Sequence, residues 1–232
     1  MTLKACVFDA YGTLFDVSAA AREAAREPDF PELAQNWQNL AAVWRDKQLQ
    51  YTWLRAVTGA HCDFWQVTQD GLDYALAASG LEGNPALRAR LLDLYFTLSA
   101  YPEVPTMLAE LRAAGLQTAI LSNGSAAMLE GAVSSAGLSG QFDALLSVDA
   151  VGIFKPAPEV YAMVEAALGL RPHEVLFVSS NGWDASCATS FGFETVWVNR
   201  LGAPMDRLPG KPKHQLSDLA PLPALLTQNT NA

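Results

Sequence analysis

Four polar clusters in this chain each follow a short apolar run, and their residue types suit nucleophilic displacement. The first closes Lys4-Ala5-Cys6-Val7-Phe8-Asp9-Ala10-Tyr11-Gly12-Thr13, where a strand pattern ends in a carboxylate and breaks into a glycine turn. Gly12 permits that turn, and the backbone N–H groups of Ala10 and Tyr11 can point into the same space to hold an anion. A turn built to transfer phosphate would carry a second aspartate at position 11 to protonate the leaving group, but this chain has Tyr11 there. A lone carboxylate can still act as a nucleophile, provided its target bears a good leaving group. Capping of the following helix is the plainer use for Asp9.

The other clusters leave similar choices open. Leu121-Ser122-Asn123-Gly124-Ser125 offers a hydroxyl and an amide suited to a carboxylate or a halide, or else an ordinary turn. In Phe154-Lys155-Pro156 the proline holds the lysine extended; Lys155 could reach Asp9 and keep it ionised, or lie in solvent. Val178-Ser179-Ser180-Asn181-Gly182-Trp183-Asp184 brings a carboxylate with hydroxyl and amide neighbours, able to position and activate a water, or to open a helix.

The elements that must position these clusters alternate along the chain. Apolar runs at 4–8, 117–121, 145–148, 175–178 and 195–198 read as buried parallel strands. Helical patterns at 104–114, 126–136 and 158–168 end at Gly115, Gly137 and Gly169, and Pro158 suits a helix start. This order predicts an α/β fold with a doubly wound, Rossmann-like parallel sheet and a site at the carboxyl ends of its strands. Residues 17–98 break the rhythm. Trp37, Leu40, Ala41, Trp44, Tyr51 and Leu54 recur at helical spacing, as do Phe64, Val67, Gly71, Leu72 and Ala75, then Leu87, Leu91, Leu94 and Leu98. We expect a helical cap at 17–98 inserted into a core of 1–16 and 99–232. The Pro-rich tail after Gly202 is expected to wrap the surface with little regular structure.

Composition narrows the classes. The 232 residues are 50% hydrophobic and 17% charged, as in folded proteins that bury a sizeable core. A net charge of −9 argues against a nucleic-acid surface. Three widely spaced cysteines, Cys6, Cys62 and Cys187, suit a reduced compartment better than a disulfide framework. No signal-peptide pattern precedes the first strand, and no apolar run approaches the roughly 18 residues of a membrane span. A cytoplasmic location without membrane contact is the expectation. A serine-hydrolase route would need a G-x-S-x-G elbow and a partner histidine; the pentapeptide does not occur, and His61, His173 and His214 fall outside the clusters, as surface or loop residues.

Taken together, FDAYGTLFDV (8–17), VWRDKQLQYTWLR (43–55), LSNGS (121–125), FKP (154–156) and SSNGWDA (179–185) resemble the haloacid dehalogenase superfamily and, more narrowly, the (S)-2-haloacid dehalogenases. The resemblance covers about residues 3–200, and the run at 43–55 is its most specific part. It implies a covalent hydrolysis in which Asp9 attacks C2 of a small 2-haloacid, giving an aspartyl ester and inverted configuration. Arg45 would receive the halide, with Asn123 beside it. Ser122 and the backbone of Ala10 and Tyr11 would hold the substrate carboxylate, and Thr13 would steady Asp9. Lys155, with Tyr161 nearby, would balance its charge. Ser179, Asn181 and Asp184 would activate the hydrolytic water. Tyr11, Leu49, Phe64 and Trp183 would wall the pocket.

No metal or cofactor is implied. In the metal-dependent phosphatases of the superfamily, the rival reading, two acids of the last cluster contribute to Mg²⁺ binding; here Ser180 stands at the first, and Tyr11 removes the general acid. A non-catalytic binding module would have lost Asp9 or Lys155, and both are present. The family pattern usually has Gln after the cap arginine, where this chain has Asp46. Relatives are commonly dimers, for which the aromatic and leucine-rich cap helices offer either an interface or cap core.

Overall fold

The structure, a computed structural model, describes residues 3–229. Four consecutive fully buried residues form β1 (Ala5–Phe8), with no polar alternation because both faces are covered. Around it lie β2 (Gln117–Ser122), β3 (Ala144–Ser147), β4 (Val175–Ser179), β5 (Glu194–Val198) and β6 (His214–Leu216). Their order is β3-β2-β1-β4-β5-β6, and every neighbouring pair is parallel. The chain fills one side of β1 with β2 and β3, then crosses to the other side with β4. β1 therefore sits at the switch point, where an open α/β sheet leaves a crevice beyond its strand ends. Phe8 pairs with Ile120 and Val178, so the next residue, Asp9, comes level with Leu121 and Ser179.

Seven α-helices come first in chain order: α1 (Ala19–Ala24), α2 (Trp37–Thr58), α3 (Phe64–Ala78), α4 (Pro85–Phe96), α5 (Val104–Ala113), α6 (Ala126–Ser135) and α7 (Pro158–Leu168). Two more, α8 (Gly182–Phe191) and α9 (Leu222–Asn229), follow. The helix expected at 158–168 begins at Pro158 and stops at Gly169, whose φ of 67° lets its N–H reach the Glu165 carbonyl.

Between β1 and α5 the described residues form helices and no strand, only isolated bridges that join Phe15 to Tyr11 and Ala100. Asp63 caps α3 by accepting from Gln66 N (2.8 Å), and Asn84 caps α4 ahead of Pro85. α2 packs chiefly on α3, and α1 on α4. The buried face of α2 departs from the apolar pattern read in the sequence. It runs through Leu40, Ala41, Trp44, Gln48 and Thr52, and Leu54 is 61% exposed. Steps of four from Trp44 select Gln48 and Thr52, so a polar pair continues the face that Tyr51 and Leu54 seemed to extend.

The tail corrects the expectation of little regular structure. β6 adds a sixth strand beside β5, and α9 buries Leu222 and Leu226. Three residues, His-Gln-Leu, carry no strand signature of their own; the exposed edge of β5 supplies the pairing. Just beyond β5, Arg200 ties three segments together. It donates to the Thr13 carbonyl (3.0 Å), pairs with Glu103 (2.8 Å) and lies 3.6 Å above the Tyr101 ring.

Candidate active site

Asp9 follows the last residue of β1 and is 6% exposed. Thr13 Oγ1 donates to its Oδ2 (2.9 Å), as does Asn181 Nδ2 (3.0 Å), and Lys155 Nζ donates to Oδ1 (3.2 Å). A carboxylate with three donors is fixed in rotamer. The turn after it folds onto one acceptor: the N–H groups of Thr13, Leu14 and Phe15 all donate to the Ala10 carbonyl. Gly12 makes this turn at φ 91°. Among the described residues the N–H groups of Ala10 and Tyr11 donate to no protein acceptor, so both remain free for an anion.

The other strand ends meet this carboxylate. Ser122 Oγ accepts from Gly124 N (3.0 Å), which leaves its O–H to donate elsewhere. Asn123 Oδ1 accepts from Lys155 N (2.9 Å), which fixes the amide so that its NH₂ is the free end. Ser179 Oγ accepts from Asn181 N (3.2 Å), and Ser180 N donates to Thr13 Oγ1 (2.8 Å). Asp184, in the first turn of α8, is fully buried. Its Oδ1 accepts from Tyr161 O–H (2.8 Å) and its Oδ2 from Lys155 Nζ (2.9 Å). Tyr161 thus serves Asp184 directly and Asp9 only through Lys155.

Electrostatics follow from burial. Burial is the largest influence on Asp184 and raises its pKa despite Lys155, with Asp9 adding to the rise. A buried carboxyl with raised affinity for protons is suited to take one from water. For Lys155 burial pulls downward, but Asp184 and Asp9 outweigh it and the net shift is upward, so the ammonium stays charged between them. Burial pushes the Tyr161 phenol well above its usual range, and Asp184 adds to the rise. Tyr161 acts here only as a donor.

Arg45 enters from α2. Its Nη2 donates to the Tyr11 carbonyl (3.0 Å) and to Asn181 Oδ1 (3.3 Å). The Asn181 amide therefore bridges a guanidinium on one side and the Asp9 carboxylate on the other. Leu49 lies half-buried one turn beyond Arg45, whereas Asp46 is exposed. The Tyr11 ring packs 5.9 Å from Phe64 and stacks on Tyr95 at 5.8 Å and 10°. Trp183 meets Trp53 of α2 edge-on at 5.4 Å. His61 lies in the loop before α3, half-buried, with its ring 4.7 Å from Phe154 and its Nδ1 buried.

Gly124 sets the place of Tyr11, since a Cβ there would stand 2.6 Å from Tyr11 Cε2. Gly124→Ala is expected to push the ring toward the substrate space and cost about 1–3 kcal/mol of stability through overpacking. Steady-state kinetics should then show a higher KM with a longer-chain 2-haloacid than with a two-carbon one. An unchanged KM ratio would show that the ring is free to move away.

Some participants carry no local signal. Tyr95 and Gln48 lie within helices and Arg200 in a loop far along the chain; only three-dimensional packing brings Tyr95 to Tyr11, Gln48 to Tyr95 and Arg200 to Thr13.

A doubly wound parallel sheet with a buried aspartate after its first strand, a lysine joining it to a second aspartate and an arginine entering from inserted helices defines a hydrolase of the aspartate-nucleophile class. Residues 3–192 match the family model of haloacid dehalogenase-like hydrolases. The chain belongs to that family, and within it to the (S)-2-haloacid dehalogenases. It is 45% identical to (S)-2-haloacid dehalogenase 1 of Pseudomonas sp. (strain CBS-3), over 98% of both chains. It is 49% identical to the (S)-2-haloacid dehalogenase of Xanthobacter autotrophicus over 86% of this chain and 76% of that one. The structure of L-2-haloacid dehalogenase from Xanthobacter autotrophicus with chloropropionic acid covalently bound superposes with a TM-score of 0.88 at 40% identity, covering 97% of this chain and 99% of that one.

Proposed function

We propose that this chain hydrolyses (S)-2-haloacids to (R)-2-hydroxyacids and halide through an ester on Asp9. One observation carries the reading: a buried carboxylate held by Lys155, Thr13 and Asn181, with Asn181 also joining it to a guanidinium. The covalently bound chloropropionic acid in the Xanthobacter relative supports it.

In this mechanism the substrate carboxylate lies on the free N–H groups of Ala10 and Tyr11 and on the Ser122 hydroxyl. An Asp9 oxygen attacks C2 from the face opposite the halogen, forming the C–O bond as the carbon–halogen bond breaks. The halide departs with the bonding electrons toward Arg45 and the free amide hydrogens of Asn123. A fixed positive charge where the halide's charge develops lowers this barrier. The apolar wall of Tyr11, Leu49, Phe64 and Trp183 excludes competing water. Ser179 and Asn181 then help place a water that attacks the ester carbonyl of Asp9, while Asp184 takes its proton. The acyl–oxygen bond breaks, the hydroxyacid leaves, and Asp9 is regenerated carrying the oxygen from water. A halide leaves as an anion, so the displacement needs no leaving-group protonation. In the hydrolysis Asp184 hands its proton to the departing hydroxyacid oxygen, and the last proton of the water goes to solvent as Asp9 ionises.

The proposal includes the division into a core of 1–16 and 99–232 and a cap of 17–98, which supplies Arg45, Leu49 and Phe64. It also includes a cytoplasmic location, consistent with three free thiols, and a homodimer, for which Leu54 and the 87%-exposed Val57 supply apolar surface on α2. Among the described residues no helix is long and apolar enough to cross a membrane.

The test is Asp184→Asn mixed with (S)-2-chloropropionate. Lys155 keeps Asp9 as a partner, so the variant should fold, release at most one equivalent of chloride and accumulate the ester. Intact-protein mass spectrometry should find the substrate-derived adduct on Asp9. Full turnover without an adduct would overturn the covalent route.

A further inference from the structure

We propose that Arg200 is a positioning residue that latches both chain crossings between core and cap to the end of β5. It thereby holds Thr13 against Asp9 and the cap-borne Arg45 over the same centre. This rests on the function and the cap boundaries proposed above. The two crossings are zipped to each other by backbone bonds from Asp16 N to the Ser99 carbonyl (3.1 Å) and from Tyr101 N to the Leu14 carbonyl (2.9 Å). A bridge between Phe15 and Ala100 lies between these bonds. They fix the segments to each other, and Arg200 ties both to the sheet.

Arg200 Nη2 donates to the Thr13 carbonyl on the first crossing (3.0 Å) and pairs with Glu103 Oε1 on the second (2.8 Å). The guanidinium carbon lies 3.6 Å above the Tyr101 ring, also on the second. The loop that carries Arg200 is itself fixed. Arg200 N donates to the Val198 carbonyl (3.0 Å), while Asn199 donates to the Ala203 carbonyl (2.9 Å) and accepts from its N–H (2.8 Å). Glu103 balances the Arg200 charge, so the contribution of Arg200 to the site is geometric. Among the described residues its buried Nε–H has no acceptor. An unpaired buried donor costs free energy, so stability alone does not account for an arginine in this place.

Thr13 connects the latch to the chemistry. Its hydroxyl accepts from Ser180 N (2.8 Å) and has one proton with two acceptors in reach, Asp9 Oδ2 at 2.9 Å and Ser180 Oγ at 3.1 Å. The carboxylate is the stronger acceptor and takes the proton. Keeping that bond requires the Thr13 backbone to stay in place, and Arg200 holds its carbonyl. Beyond the same crossing Asp16 pairs with Arg22 of α1 (2.7 Å), and α2 follows with Arg45. A lysine at position 200 would meet Glu103, but its ammonium neither stacks as a plane on Tyr101 nor offers a guanidinium fork.

The test adds Arg200→Ala to Asp184→Asn, in which the ester accumulates and its rate of formation reports displacement alone. With saturating (S)-2-chloropropionate, quenched samples are read by intact-protein mass spectrometry well below the melting temperature. Ester formation should slow about tenfold or more, since misplacing a reacting group by about 1 Å costs up to on the order of 100-fold. Arg200→Lys, which keeps a cation beside Glu103, should slow it about threefold. With Asp184 intact, ester hydrolysis in either variant should change little, because Ser179, Asn181 and Asp184 place the water and none of them bonds Arg200. A merely structural arginine would lower the melting temperature and leave the rate of ester formation alone.

An unchanged rate of ester formation in folded Arg200→Ala, or in Arg200→Lys should the alanine variant not fold, would overturn the proposal. Equal slowing of formation and hydrolysis would overturn it too, as the mark of general loosening. Failure of Asp184→Asn by itself to form any ester would overturn the function, and with it the role given to Arg200.

Discussion

Asp9→Asn is expected to abolish halide release from (S)-2-chloropropionate, by a factor on the order of 10⁴ or more, as removal of a covalent nucleophile does. The amide oxygen is a far weaker nucleophile than a carboxylate, and no second carboxylate is placed to substitute. Asp184 is fully buried, and both of its oxygens are already engaged, by Tyr161 and Lys155. Folding should survive the change. Lys155 keeps its 2.9 Å partner Asp184, and an asparagine oxygen can still accept from Thr13 or Asn181. The measurement is chloride release beside a thermal melt of the same sample. A folded variant that turns over at a comparable rate would mean that water, not Asp9, attacks the substrate.

The second large effect is on stability and its pH dependence. Lys155 is 1% exposed and bonds both Asp9 and Asp184, themselves nearly or wholly buried. Lys155→Met leaves two carboxylates facing one space with no cation between them. Breaking a buried ion pair in this way costs about 3–5 kcal/mol at neutral pH. The loss should not be uniform with pH. Without the ammonium, burial and mutual repulsion raise the carboxyl pKa values in the folded variant above their unfolded values. A raised carboxyl favours folding below the unfolded pKa, and that contribution disappears as pH rises through the folded value. The melting temperature of Lys155→Met should therefore lie closest to the parent's in mild acid and fall away toward pH 8. An equal gap at both ends would show that the two carboxylates do not interact in the variant.

Much of the sheet was legible because its strands are buried on both faces and so appear as unbroken apolar runs. Each lies within a residue of its expected place, and the helix at 158–168 is bounded by the Pro158 and Gly169 that marked it. Asp9 and Ser122 stood out because a polar group at the end of such a run is conspicuous, whereas Lys155 and Asp184 were read from their neighbours, Pro156 and the Ser179-Ser180-Asn181 cluster. The tail was misjudged because β6 owes its pairing to the edge of β5, not to its own residues. Gln48 was passed over for the opposite reason: a glutamine on a helix normally faces solvent, and this one is buried by its bonds to Thr68 and Tyr95.

The amino-acid sequence by itself determined the parallel sheet, the strand ends that bear polar groups and, through Asp9 and Tyr11, the presence of a carboxylate without an acid partner. These are local properties, readable from the type and spacing of a few consecutive residues. The tertiary structure decided which groups share an oxygen or a proton: that Tyr161 serves Asp184, that Asn181 joins Asp9 to Arg45, and that Tyr95 gives its proton to Gln48. Such partnerships join residues up to 172 positions apart, and hydrogen-bond direction depends on distances that no local spacing encodes.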